Sequence, residues 1–172
     1  MPVPRFPVDI VIERVPIASR WASERWQPAA VLPAGPPVMD LDVVPGVPEC
    51  LSDGTEGTQW RFPGFALELH RSEAEGYFLN ITAPQPSVFV LWRTFEDGAP
   101  VARPVLATVS YNEAARMMDG GEQVDAVAMP LPVREWLAPF VAEHYKPEPK
   151  KKVRRNDPFA DDSGRDPRRR SL

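Results

Sequence analysis

Apolar and polar residues alternate along several short stretches of the chain, the pattern expected of strands that bury one face. Residues 65–69, 77–81 and 88–92 follow one another, each alternates in this way, and turn-forming residues separate them. Side chains on a strand point to opposite faces in turn, so each stretch presents a mainly apolar face to a core. The pattern predicts three consecutive antiparallel strands, and 88–92, which is apolar on both faces, is expected inside the sheet.

Four further stretches predict strands of the same kind: residues 8–15, 26–32, 101–109 and 123–129. Pro28 places its strand at a sheet edge or at a bulge, because proline donates no hydrogen bond to a ladder. Residues 33–58 are rich in proline and glycine and are expected to form a long loop, mobile or used for binding. Within this loop, residues 41–44 are a weaker candidate strand.

Two stretches predict helices. Ser110 and Glu113 form a capping-box pattern, in which each side chain binds a free backbone amide, and a short helix is expected over residues 111–118. Residues 132–144 carry an apolar stripe with the spacing of one helix face: Val133, Trp136, Leu137, Phe140 and Val141. Pro139 lies inside this helix and costs it about 3 kcal/mol, so a kink or a break is expected there.

Together these elements predict a single α+β domain over residues 1–145. Its centre is a mainly antiparallel, strongly bent sheet or small barrel of about seven strands, with two short helices. Hydrophobic residues make up 43% of the 172 residues, which suffices for a core, and the 22 prolines favour short strands and loops. The apolar content falls after Tyr145, so residues 146–172 are expected to form a disordered basic tail.

Charge is distributed unevenly between the body and the tail. Residues 146–172 carry a net charge of +5 and contain every lysine, whereas residues 1–145 carry −9. The tail holds a compact basic cluster that can bind phosphates or an acidic protein surface: Lys150, Lys151, Lys152, Arg154 and Arg155. A nucleic-acid backbone would repel the acidic body, so binding to nucleic acid is disfavoured.

No pattern of catalytic or metal-binding residues stands out. His70, His144 and Cys50 are far apart in sequence and lack the spacing of a tetrahedral metal site. Glu68, Glu73 and Glu75 lie near one turn, where we expect them to be solvated rather than to act as an acid and a base. We therefore expect no catalytic residue, no cofactor, no metal and no enzymatic activity.

The sequence also predicts a cytoplasmic protein. Cys50 is the only cysteine, so an internal disulfide is impossible, which fits a reducing compartment. The first residues lack the charged-then-apolar pattern of a secretory signal, and no apolar run approaches the ~20 residues that span a bilayer.

Five tryptophans are many for a chain of this size, and two of them are candidate contacts with a partner. Trp92 and Trp136 are expected in the core. Trp21 and Trp26 flank a short polar stretch near the start of the second strand. Because Trp and Arg are enriched at binding hot spots, these two residues are candidate interface anchors.

Three groups of stretches occur in a distinctive order: residues 11–14, 21 and 26–33; then 73–80, 85–86 and 89–90; then 143–149 with the basic cluster. In this order they resemble an uncharacterised bacterial family, the domain of unknown function DUF3305, often encoded beside molybdenum-dependent formate dehydrogenase genes. The resemblance supplies no catalytic residues. It implies a role beside the dehydrogenase, in assembly, cofactor insertion or quality control.

Three functional hypotheses follow. The first is a non-enzymatic accessory protein that binds a formate dehydrogenase subunit or a maturation factor through Trp21, Trp26 and the tail. The second is a nucleic-acid-associated module that acts through the basic tail. The third is a small-ligand-binding protein or an enzyme that uses the loop 33–58, for which a pocket with His70 or Cys50 beside a carboxylate would be evidence.

Overall fold

The computed structural model describes residues 2–35 and 47–150. Within these ranges the elements are, in order, β1 (Arg5–Pro16), β2 (Glu24–Pro33), β3 (Glu49–Gly54), β4 (Gly57–Glu68), α1 (Ala74–Ile81), β5 (Ser87–Thr94), β6 (Ala102–Thr108), α2 (Tyr111–Asp119), β7 (Gln123–Ala128) and α3 (Leu131–His144). A single 3₁₀ turn, Arg71–Glu73, leads into α1. The candidate strand 41–44 lies outside the described residues.

The strands form two antiparallel sheets, with the orders β2-β1-β4-β3 and β6-β5-β7. β1 is the centre of the first sheet and pairs with β2 on one side and β4 on the other. The α+β class, the seven strands and the antiparallel arrangement are confirmed. Over the described ranges the two sheets do not close into one barrel.

The core lies where both sheets and α3 meet. Val8, Ile10 and Ile12, predicted to share one face of the first strand, are fully buried. Side chains from the other elements pack against them, including Leu67, Val88, Val90, Val133 and Leu137. Burying an aliphatic side chain of this size stabilises the fold by about 1.5–3 kcal/mol, so this cluster determines how the sheets and α3 pack.

The predicted strand over residues 77–81 is wrong, because these residues belong to helix α1. Ala74 and Tyr77 are buried, and Phe78 and Ile81 pack against the core, at the i, i+3, i+4 and i+7 spacing of a helix face. α1 raises the number of α-helices in the described part of the chain to three instead of two.

Part of the predicted loop 33–58 is also ordered as a strand. β3 pairs with β4 through a hairpin whose turn is Thr55-Glu56, and β4 begins at Gly57 rather than near residue 65. Gly57 has a φ of 137°, and a Cβ there would lie 2.5 Å from the Arg14 carbonyl oxygen. Only glycine fits both that conformation and that close approach.

The two predicted helices, α2 and α3, are confirmed, and each differs from its prediction in one detail. At α2 the Ser110 hydroxyl accepts the Glu113 amide at 3.1 Å, as expected, but the Glu113 carboxylate accepts the Thr108 hydroxyl at 2.7 Å. α3 continues through Pro139 without a break. None of the helices in the described ranges has the length and apolar content needed to cross a membrane.

Candidate functional site

The hairpin between β1 and β2 ends in an exposed tip, defined here as residues 17–25. The ladder of the two strands ends at Pro16 and Glu24, and the Ile17 amide donates to the Ser23 carbonyl at 3.1 Å. Trp21 lies beyond this bond with 93% of its surface exposed. Since tryptophan is usually largely buried and is enriched at interfaces, this side chain is the first candidate for contact with a partner.

The tip is basic although the body is acidic. Six of the ten arginines of the body form ion pairs: Arg5, Arg14, Arg61, Arg93, Arg103 and Arg116. Arg20 and Arg25, which flank Trp21, form none with any described residue. The tip therefore presents an exposed indole and two arginines that form no ion pair within the described residues, a surface complementary to an apolar pocket with an acidic rim.

The second tryptophan candidate lies in a different environment. Trp26 is partly buried and packs against the core, where it pairs across the ladder with Arg14. Arg14 is held by Glu24 at 3.0 Å and by the Thr58 hydroxyl at 2.9 Å. Trp26 therefore supports the base of the hairpin, while Trp21 is free to be buried by a partner.

The basic cluster begins at the end of the described chain. Lys150 is exposed, whereas Lys151, Lys152, Arg154 and Arg155 lie outside the described residues. The chain leaves the body at Tyr145, whose ring stacks on Phe78 with the centroids 4.0 Å apart. The tail therefore starts next to α1.

The two histidines are neighbours in space although they are 74 positions apart. Both line a cleft of 570 Å³ together with Leu69, Arg71 and Phe140. Each lies near a carboxylate, His70 at 3.5 Å from Glu68 and His144 at 3.7 Å from Glu143. Cys50 is exposed on β3, and nowhere in residues 2–35 and 47–150 do three metal-binding side chains converge on one point.

Two sets of hydrogen bonds hold the start of α1, and no sequence pattern indicates either of them. Glu73 accepts hydrogen bonds from the Ser110 hydroxyl and from Arg116, so it is not the solvated side chain that we expected. The Tyr77 hydroxyl accepts the His70 amide at 2.9 Å and donates to the Glu68 carbonyl at 3.3 Å. The first set ties the start of α1 to α2, and the second ties α1 to the end of β4.

The surroundings of Tyr77 raise the pKa of its phenol. The pKa of this phenol is raised to about 12. Burial is the largest cause, the hydrogen bond from the His70 amide opposes it, and the carboxylates of Glu113, Glu73 and Glu68 act in the same direction as burial. The fold therefore favours the protonated phenol.

The raised pKa of Tyr77 predicts a loss of stability at high pH. Between pH 10 and 12 the folded state holds a proton that the unfolded state has released, so the free energy of unfolding falls as the pH rises, by up to ~3 kcal/mol. Chemical denaturation at several pH values measures the fall, and absorbance titration of the phenolates shows a last step near pH 12. Tyr77→Phe should remove that step, and a titration in which it persists would contradict the assignment.

Comparison with protein families matches residues 7–154 to a family described as "Protein of unknown function (DUF3305)". The match covers both sheets and the three helices, and it extends through Arg154 into the basic cluster. No curated protein and no solved structure matches the chain.

Proposed function

The chain belongs to the DUF3305 family of proteins of unknown function, and from this premise we propose that it is a non-enzymatic accessory protein that binds another protein. The observation that carries the proposal is the hairpin tip, where Trp21 is 93% exposed between Arg20 and Arg25. The partner we propose is a subunit of a molybdenum-dependent formate dehydrogenase, or a factor that matures it. That part rests on the gene neighbourhood that the sequence resemblance implies.

The chemistry of the tip defines the surface to which it would bind. A tryptophan that moves from water into a well-packed pocket acts as a hot spot of about 2 kcal/mol or more. The two unpaired arginines at the rim contribute mainly to the association rate and to its dependence on salt. The partner should therefore present an apolar pocket surrounded by aspartate or glutamate side chains.

The tail would assist the same encounter. Residues 146–172 carry +5 and the tip adds two unpaired arginines, so both features attract an acidic partner while the body, at −9, repels it. The tail leaves the body next to α1, at the Arg5 end of β1, whereas the tip follows Pro16 at the other end, so the tail draws an acidic partner to the molecule and the arginines of the tip act at the contact itself. Electrostatic steering of this kind predicts that association slows as the salt concentration rises.

Trp21→Ala should weaken capture of the dehydrogenase subunit by at least ~30-fold, because about 2 kcal/mol of hot-spot energy is removed. The fold should be unaffected, since the indole contacts little of the body. The measurement is a pull-down with the tagged full-length chain from cells that express the dehydrogenase, followed by titration of the enriched subunit.

Leu131→Ala is the matched control, because Leu131 is a large apolar side chain that is 64% exposed at the start of α3. Binding by this variant should equal that of the wild type. The proposal fails if the wild type enriches no dehydrogenase subunit and a deletion strain keeps its dehydrogenase activity. Enrichment of nucleic acid that disappears with residues 146–172 and at high salt would favour the second hypothesis instead.

A further inference from the structure

Two strand edges lack a partner strand within the described residues. β3 pairs with β4 only as far as Arg61, so on that side residues 62–68 of β4 have no neighbour. β6 pairs with β5 along one edge and with nothing along the other. About half of the amides and carbonyls on such an edge point away from the sheet, and they can form hydrogen bonds with the backbone of an added strand.

These two edges border one depression, which we call the β4–β6 trough. It consists of two adjoining cavities of 570 and 320 Å³, and Gly64 and Phe65 line both. The larger cavity is lined by prolines and aromatic rings, including Pro63 and Pro104. Because proline has no amide to donate, strand pairing is confined to the smaller cavity, between residues 65–68 and 105–108.

The smaller cavity is the polar and acidic end of the trough. Glu68, His70, Thr108 and Glu113 line it. Glu68 has Arg5 at 3.3 Å, but both side chains of that pair are exposed, so the pair is weak. Glu113 also lines the cavity, and its carboxylate accepts a hydrogen bond from the neutral Thr108 hydroxyl rather than from an arginine.

We propose that this acidic end of the trough binds the chain's own basic cluster, residues 150–155, as an added strand. The cluster supplies amides and carbonyls for the open edges and cationic side chains for Glu68 and Glu113. Charge complementarity favours it over other occupants, since the tail carries +5 and the body −9. The inference does not rest on the role proposed for Trp21, but it bears on the tail: a cluster docked on the body is not available to attract a partner until it is released.

The point at which the chain leaves the body places the cluster within reach. Tyr145 stacks on Phe78, and the preceding residue of α1, Tyr77, is bonded to Glu68 at the end of the trough. The five residues 146–150 span up to ~17 Å when extended, which covers the width of a helix and the step to β4. The family match likewise ends at residue 154, within the basic cluster.

Zero-length cross-linking of the full-length chain tests this proposal. A carbodiimide joins a carboxylate to an amine that touches it, and because all lysines lie in residues 146–172, every lysine cross-link reports on the tail. We expect the lysines of the cluster to be joined to Glu68 and Glu113. Glu122 is the matched control, since it is 33% exposed and paired with Arg93, much as Glu68 is 43% exposed and paired with Arg5.

Cross-linking a mixture of isotopically light and heavy chains identifies the source of the tail. Links within one isotope support the proposal, whereas mixed links would overturn it in favour of docking by a second copy. Equal cross-linking to Glu122 and Glu68 would show a tail without a preferred site.

Hydrogen exchange provides an independent measurement. Reversing the charge of Lys150, Lys151 and Lys152 to glutamate should accelerate amide exchange in residues 65–68 and 105–108 by about tenfold or more, with no change in β1. Unchanged exchange at both edges would overturn the proposal.

Discussion

Replacing Asn80 with alanine is expected to destabilise the fold by about 3–5 kcal/mol, since three buried or partly buried hydrogen bonds lose a partner. Asn80 is 2% exposed, and its side-chain amide donates to the carbonyls of Ser87 and Val109, both at 2.8 Å. Its side-chain oxygen accepts the Ser87 amide at 2.9 Å. One side chain thus ties α1 to the start of β5 and to the residue that follows β6.

Urea denaturation of Asn80→Ala beside Thr82→Ala measures this effect. Thr82 belongs to the same turn of the chain but is exposed, and its hydroxyl donates to the Phe78 carbonyl at 2.6 Å. Water can replace that bond, so Thr82→Ala should cost less than about 1 kcal/mol. If both variants unfolded at the same urea concentration, the buried bonds of Asn80 would not stabilise the fold.

Asn80 also explains why residues 77–81 were wrongly predicted as a strand. Tyr77, Leu79 and Ile81 alternate with Phe78 and Asn80 along only five residues, and a pattern this short fits a strand and a buried helix equally. Only the tertiary contacts of the segment distinguish a helix from a strand here. As a helix the segment directs Asn80 at the backbones of two strands, and Leu79, predicted to face the core, is 43% exposed.

β3 was missed for the opposite reason. All six of its residues, Glu49–Gly54, are exposed, so the strand carries no alternation of apolar and polar side chains to detect. It exists because its backbone pairs with β4 through the Thr55-Glu56 turn. Backbone hydrogen bonds do not depend on which side chains the strand carries, so the residue pattern does not indicate them. β1, β5 and α3 bury whole apolar faces, and the pattern predicted them correctly.

The same distinction applies to the candidate sites. Trp21 could be proposed from sequence because an apolar residue in a polar connection has few ways to be buried. The same reasoning made Trp26 an equal candidate, and only the structure shows that Trp26 packs against the core. The β4–β6 trough could not be predicted at all. It lies between the open edges of two strands that are about 40 residues apart in sequence. The alternation of apolar and polar residues indicates which face of a strand is buried, but not which of its edges lacks a neighbouring strand.

Leu137→Ala should lower the free energy of unfolding by about 2–5 kcal/mol, because the side chain is completely buried and its removal leaves a cavity. α3 depends on this packing more than most helices do. Pro139 removes one of its backbone hydrogen bonds and crowds the preceding turn at a cost of about 3 kcal/mol, yet the helix is unbroken. Val133, Leu137 and Val141, all buried along one face, must therefore offset that cost.

Hydrogen exchange separates this explanation from a general loss of stability. In Leu137→Ala the amides of α3 should lose protection before those of β1, since the helix is held by its packing rather than by its own hydrogen bonds. Leu131→Ala deletes the same atoms from the same helix at a position 64% exposed, and it should change stability by less than about 1 kcal/mol. If α3 and β1 lost protection together, α3 would instead be an inseparable part of the core, and its tolerance of Pro139 would need another cause.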